Sequence, residues 1–291
     1  KGRLSSEMNG CAPKLTSDGS LFISQGRHPL IPRDEVVPIS VPLGRDFNIM
    51  VITGPNTGGK TVALKTIGLL SMMTQYGLHI PAHPETEMAV FEQIFVDIGD
   101  EQSIEQSLST FSSHLSNIVE FLPKVNERTL ALFDELGAGT DPTEGSALAM
   151  AILDFLLERK CRCVATTHYS ELKTYAYSSP GIENASVEFD VTTLRPTYRL
   201  LVGIPGKSNA FEIASRLGLD RRIIERARAF ISREEMQVSD LIQNLEENRH
   251  VTAIERQEAT RLRMELEQKS AQLDKMFREA EKRRRDAVAK A

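Results

Sequence analysis

Gly54-Pro55-Asn56-Thr57-Gly58-Gly59-Lys60-Thr61 stands between a β-branched apolar run, Phe47 to Thr53 (FNIMVIT), and a helix-length apolar segment, Thr61 to Tyr76 (TVALKTIGLLSMMTQY). The octapeptide fits the pattern G-x-x-x-x-G-K-[ST] at each fixed position. The chemistry needs these residue types. Glycines let backbone N–H groups turn inward onto phosphate oxygens at the positive end of the following helix, a lysine reaches the outer phosphates, and a hydroxyl ligates Mg²⁺. Lys60 and Thr61 occupy the last two positions. At ordinary residue frequencies the fixed positions coincide by accident in about one chain of this length in a hundred. A glycine-rich turn that binds nothing is the bland alternative. Strand, glycine loop and helix follow in the order phosphate binding requires, which argues against it.

Outward from this point, strand and helix signals alternate. Residues 20–24 and 36–53 read as short strands split by Pro29, Pro32, Pro38 and Pro42. Phe91 to Val96 reads as a strand, Ser109 to Leu122 as a helix, and Thr129 to Phe133 (TLALF) as a buried strand. Asp141 then caps a helix with Pro142 at its first position, running to about Lys160, and Cys163 to Thr167 forms the next strand. Alternation of this kind predicts an α/β fold: a mainly parallel sheet with flanking helices. Residues 182–190 and 197–202 read as late antiparallel strands at an edge. Residues 1–218 form the nucleotide domain on this reading. From Leu219 to Ala291 there are 73 residues without Gly or Pro, which predicts a C-terminal helical extension opened by Asp220. Leu262, Leu266, Leu273, Met276 and Ala280 give it a heptad-like seam, the pattern either of a coiled coil or of a charged single helix. The run Lys282-Arg283-Arg284-Arg285 is either a solvated face or a nucleic-acid contact.

Composition narrows the function classes. The chain carries a net −5, but residues 251–291 hold 11 Lys and Arg against 8 Asp and Glu, leaving 24 bases and 32 acids before them. An acidic body does not coat itself nonspecifically in nucleic acid. No run of 18 apolar residues and no apolar leader occurs, so the expectation is a cytoplasmic protein without membrane partners. The chain begins at Lys1 rather than methionine, which reads as a piece of a longer polypeptide. Cys11, Cys161 and Cys163 are too few and too poorly spaced for a disulfide framework or a four-ligand zinc site. His79 and His83 are separated by Pro81, which denies them a shared helix face and makes them loop residues.

Hydrolysis needs a second acidic strand, and TLALFDE supplies one. Asp134 suits a Mg²⁺ ligand, and Glu135 beside it suits the base that polarises the attacking water. Two surface acids capping a strand are the alternative. Thirty-three residues beyond Glu135, Thr166-Thr167-His168 closes the next strand and brings a histidine to the carboxyl edge of the sheet, where parallel sheets bind ligands. Ser107-Leu-Ser-Thr-Phe111 lies 25 residues ahead of Asp134, counted from Ser109, and takes the place of the serine motif of ABC-type ATPases.

Taken together, Thr53-Gly-Pro-Asn-Thr-Gly-Gly-Lys60, Ser109-Thr-Phe111, Asp134-Glu-Leu-Gly-Ala-Gly-Thr140 and Ala165-Thr-Thr-His-Tyr169 resemble the MutS family of DNA-processing ATPases, as does Gly26-Arg-His-Pro-Leu30. Thr57, Thr61-Val62 and Asp141-Pro142 depart from mismatch-repair members and are similar to the MutS-II branch, whose members carry a C-terminal Smr nuclease domain. The resemblance implies a P-loop NTPase of ABC type working as a homodimer that sandwiches two ATP molecules with Mg²⁺. In that picture Gly54, Pro55, Asn56, Thr57, Gly58, Gly59, Lys60, Thr61 and Val62 wrap the nucleotide. Thr61 and Asp134 hold the metal, Glu135 is the base, and His168 and Asn56 attend the γ-phosphate or its water. Ser109 caps the nucleotide of the other subunit. Mismatch-repair members stack an aromatic on the adenine from the stretch before the loop; residues 29–46 hold none in this chain, so an aliphatic such as Val36 is expected to pack on the base. Two functions follow from the resemblance: binding branched DNA and suppressing recombination, or recognising collided ribosomes, with rRNA contact, and splitting them. A transporter ATPase is disfavoured because Leu-Ser-Gly-Gly-Gln is absent. A chromosome-organising head of the SMC kind fails because only 73 residues separate Lys60 from Asp134.

Overall fold

The computed structural model describes residues 1–54, 58–99, 107–190, 193–206 and 210–230. The predicted coiled coil and the Lys282–Arg285 run lie outside these residues.

Three strands make the centre of the molecule: β4 (Ile49–Thr53), β7 (Thr129–Phe133) and β8 (Arg162–Thr166), all of whose residues are buried. Their continuous apolar runs suit strands covered on both faces. Alternate side chains go to opposite cores. Met50, Ile52, Leu130, Leu132 and Val164 face one way, and Ile49, Val51, Ala131, Phe133 and Ala165 the other. With β6 (Gln93–Asp97), β9 (Ile182–Asp190) and β10 (Arg195–Val202) they form a six-stranded sheet of order β10-β9-β4-β8-β7-β6, parallel except for β10. The expected mainly parallel sheet with flanking helices is therefore present.

On the first face lies α2 (Lys60–Gln75), which buries Ala63, Leu64, Ile67, Leu70 and Thr74 at helical spacing. Its Gly68 sits close on β7, where a Cβ would stand 2.8 Å from Leu132 Cδ1. On the other face pack α3 (Ser107–Phe121), α4 (Pro142–Glu158) and α5 (Ser170–Ser178). Asp141 caps α4 as the sequence predicts, accepting from the Thr143 and Glu144 amides at 2.9 and 3.2 Å. Asp220 likewise caps α7 (Arg221–Ala229), which follows α6 (Ala210–Arg216).

Two readings need correction. The late strands are not both at an edge: β10 is, but β9 lies inside and runs parallel to β4 from Ile49↔Ile182 to Thr53↔Ser186. Polar residues in β9 disguise its burial; Asn184, 3% exposed, donates from its amide to the Lys173 carbonyl at 3.0 Å. The N-terminal region also holds more than the strands expected there. A helix, α1 (Gly2–Met8), precedes a small second sheet of order β1-β5-β2-β3, built from β1 (Lys14–Thr16), β2 (Leu21–Gly26), β3 (Ile39–Leu43) and β5 (Glu87–Ala89). Leu21, Ile23, Val41 and Leu43 of this sheet join the core beneath α2. His79 and His83 lie in loops, as expected, with His79 Nδ1 2.7 Å from Ser5 Oγ.

Candidate nucleotide site

The loop after β4 is bounded by two left-handed glycines, Gly54 at φ +129° and Gly59 at φ +97°. No side chain caps α2 at Gly59, the arrangement in which helix N-termini receive anions. Lys60 is 2% exposed and its Nζ donates to the Gly54 carbonyl at 2.7 Å, folding the loop back on its own start. Burial lowers the ammonium's pKa, while the charges of Glu135 and Asp134 pull it upward. The acid pair is thus near enough to feel the lysine. Gly58 is buried, and Thr61 and Val62 are half-buried in the first turn of α2. Pro55, Asn56 and Thr57 lie outside the described residues.

One hydroxyl organises the acid corner. Thr166, at the end of β8 and fully buried, donates from Oγ1 to Asp134 Oδ1 at 2.5 Å and accepts the Glu135 amide at 2.8 Å. Its carbonyl takes the Leu136 amide at 3.0 Å, and the Asp134 amide donates to the Asp97 carbonyl at 2.9 Å. These bonds hold Glu135 at φ +54°, a conformation that costs a non-glycine residue about 1 kcal/mol or more. His168 is exposed just beyond β8, its ring 4.5 Å from that of Tyr169. Tyr169 in turn donates to the Gly137 carbonyl at 3.0 Å, which ties the histidine's segment to the acid turn. Burial raises the Tyr169 pKa, with Asp141, Glu135 and Glu171 adding to it.

A second group of contacts was not legible in the sequence. The turn Gly203 to Gly206 straps the base of the loop: the Gly206 amide donates to Thr53 Oγ1 at 2.7 Å, and a Cβ at Gly206 would lie 2.8 Å from the Gly54 nitrogen. Lys173 Nζ donates to the Gly206 carbonyl at 2.6 Å. Tyr198, at φ +58° in a bulge of β10, places its ring against the loop, so that a Cβ on Gly59 would meet Tyr198 Cδ1 at 2.6 Å. The sole signal for the strap was Gly-Ile-Pro-Gly as loop punctuation, which says nothing of a partner. Val36, expected at the base, is half-buried in a turn where its amide donates to the Pro32 carbonyl at 2.9 Å. Ser109 lies in the first turn of α3.

The donor set fits Mg²⁺. Among the described residues no group of three or more His, Cys, Asp and Glu gathers to hold a metal ion. Mg²⁺ needs no such cage, taking hard oxygens from one or two carboxylates and the rest from phosphate and water. Thr61 and Asp134 are donors of that kind. Cys161 and Cys163 are poor nucleophiles and ligands: burial raises the Cys161 thiol to about 12 and the Cys163 thiol well above its ordinary value.

A buried lysine behind a glycine-bounded loop, with an acid pair on the next strand but one of a parallel sheet, defines a phosphate-loop nucleotide domain. Residues 50–237 match the family description MutS domain V, and the chain belongs to the MutS family. It is 58% identical to the Endonuclease MutS2 of Alkaliphilus metalliredigens over 97% of its own length and 37% of that protein's. The corresponding figures are 65%, 81% and 30% for the Endonuclease MutS2 of Halalkalibacterium halodurans, and 55%, 94% and 35% for that of Clostridioides difficile. The chain spans about a third of the length of these curated relatives. Similarity to this branch agrees with the motif reading. No helix among the described residues is long and apolar enough to cross a membrane.

Proposed function

We propose that this chain is the ATP-hydrolysing clamp of a MutS2-type protein, which acts in the cytoplasm as a homodimer on branched DNA and suppresses recombination. The observation that carries hydrolysis, beyond binding, is the Thr166 hydroxyl bonded at once to the Asp134 carboxylate and the Glu135 amide. It fixes the Asp134 carboxylate and the Glu135 main chain at the end of β7, near Lys60, where a metal ligand and a base are needed. When bound, Mg²⁺ supplies charge neutralisation on the phosphates. Lys60 holds the β and γ phosphates, Thr61 and Asp134 hold the metal, and Glu135 accepts the proton of the attacking water. Asn56 and His168 orient that water or the γ-phosphate. Val36 packs on the base, and Tyr198, whose ring edge lies against Gly59, borders the phosphate end of the loop. Ser109 of each subunit completes the other's site.

The relatives' name, endonuclease, denotes action on nucleic acid and is compatible with DNA and with ribosomal RNA. Gel shift on four-way junctions with Mg²⁺ and ATP, beside co-sedimentation with stalled ribosomes, tests the DNA reading in the full-length parent. Junction binding that is ATP-dependent is expected; ribosome binding without junction binding would overturn the substrate. The shared site is tested by mixing Ser109→Ala with Lys60→Ala, each inactive alone. The heterodimer keeps one site with both lysine and trans serine, so activity should return. Full activity of Ser109→Ala by itself would reject the trans role.

A further inference from the structure

Asp97 ends β6 with its carboxylate only 7% exposed, and it is bonded on two sides to one helix. His114 Nδ1 lies 2.7 Å from Asp97 Oδ2, and Asn117 Nδ2 donates to Oδ1 at 3.1 Å. A carboxylate only accepts, so the imidazole proton sits on Nδ1. Gly99 is shaped to this ring, because a Cβ there would stand 2.7 Å from His114 Cε1. On its other side α3 rests on the acid turn: Gly139, at φ +89°, lies so close that a Cβ would be 3.2 Å from Phe111 Cβ. The far end of α3 is anchored differently, by Phe121 stacked on Phe95 at 4.6 Å and on Phe133 at 5.5 Å between ring centroids.

An apolar stack at one end fixes depth but little direction; the aim of the near end is left to the polar contact and the glycine. Asp97 uses its other group too, its carbonyl receiving the Asp134 amide at 2.9 Å. One residue thus joins the acid corner to the helix that begins at Ser107, with Ser109 five positions before His114.

We propose that His114 is a positioning residue for the neighbouring subunit's site: by fastening α3 to Asp97 it fixes where Ser109 is presented to the nucleotide held by the partner. The proposal rests on the trans role of Ser109. His114→Ala should leave the affinity of the chain for a fluorescent ATP analogue within about twofold, while turnover falls by about 10- to 100-fold, the cost of a misplaced reacting group. His114→Asn, whose amide N–H comes near the position of Nδ1, should return turnover to within about fivefold. Mixing decides where the residue acts. In a heterodimer of His114→Ala with Lys60→Ala, the one site with an intact lysine receives its serine from a helix with an intact histidine, so activity should reappear. No recovery, where the Ser109→Ala and Lys60→Ala pair does recover, would overturn the proposal alone. Failure of both pairs despite subunit exchange would instead remove the shared site beneath it. Equal loss of affinity and turnover in His114→Ala, or wild-type turnover, would also overturn it.

Discussion

The phosphate loop and the acid corner stand at the ends of β4 and β7, one strand apart, and are held by different means. The loop is secured at glycines: the Gly54 carbonyl takes the Lys60 ammonium, and the Gly206 amide donates to the Thr53 hydroxyl at a place where an added Cβ has no room beside the Gly54 nitrogen. The corner adds to its main-chain bonds one side-chain anchor, the Thr166 hydroxyl. Between them β8 acts as a yoke, with Thr166 bonded to the corner and the Thr167 amide donating to the Ile52 carbonyl at 3.1 Å. A loop secured at glycines is sensitive to added bulk, whereas a corner anchored by one hydroxyl is sensitive to its removal. The first should govern affinity and the second turnover.

Lys60→Ala should break the comparison on the binding side most severely. Nucleotide affinity, read by titration of a fluorescent analogue, should fall about 100-fold or more, as when a desolvated charge loses its partner. Unchanged affinity would remove the loop's assignment. Glu135→Gln should do the reverse, slowing phosphate release by a factor of about 100 with binding intact, since a positioned base contributes that much. Normal turnover in this variant would show that the base lies elsewhere.

Thr166→Val sharpens the contrast because it keeps shape and removes the hydroxyl. Turnover should drop on the order of tenfold, and thermal unfolding should register a loss of about 1–3 kcal/mol from the unpaired Glu135 amide. Thr166→Ser should restore both, and a Val variant as active as wild type would mean that the hydroxyl does not set the corner. Gly206→Ala carries the smallest effect. A methyl 2.8 Å from the Gly54 nitrogen must push the strap away, weakening nucleotide affinity by about threefold with turnover per bound nucleotide unchanged. A fall in turnover without one in affinity would reverse the division between the two regions.

How far the chain could be read in advance follows the same division. The loop, TLALFDE and Thr166-Thr167-His168 were legible because each is a short run in which an apolar strand leads directly into its chemical residues. Asp141-Pro142 marked the start of α4 for an equally local reason, since a cap bonds amides two and three residues away. The small sheet was legible only in part, since the sequence predicts strands where β2 and β3 lie but nothing at β1 or β5. Its β1 and β5 are three residues each and pair Lys14 with Glu87, so neither carries a pattern of its own. The interior place of β9 was hidden by Asn184 and Ser186, polar residues whose burial depends on partners elsewhere in the chain.

By itself the sequence determined the phosphate-loop motif, the α/β class and the MutS resemblance, because a phosphate loop and buried parallel strands each impose a local order of residue types. Only the tertiary structure decided that Gly206 and Tyr198 lie on the loop, that Thr166 serves both acids, and that Asp97 and His114 meet. Each of these joins residues from different strands or helices, and a pairing made across a sheet depends on which strands become neighbours, which no short stretch of sequence encodes.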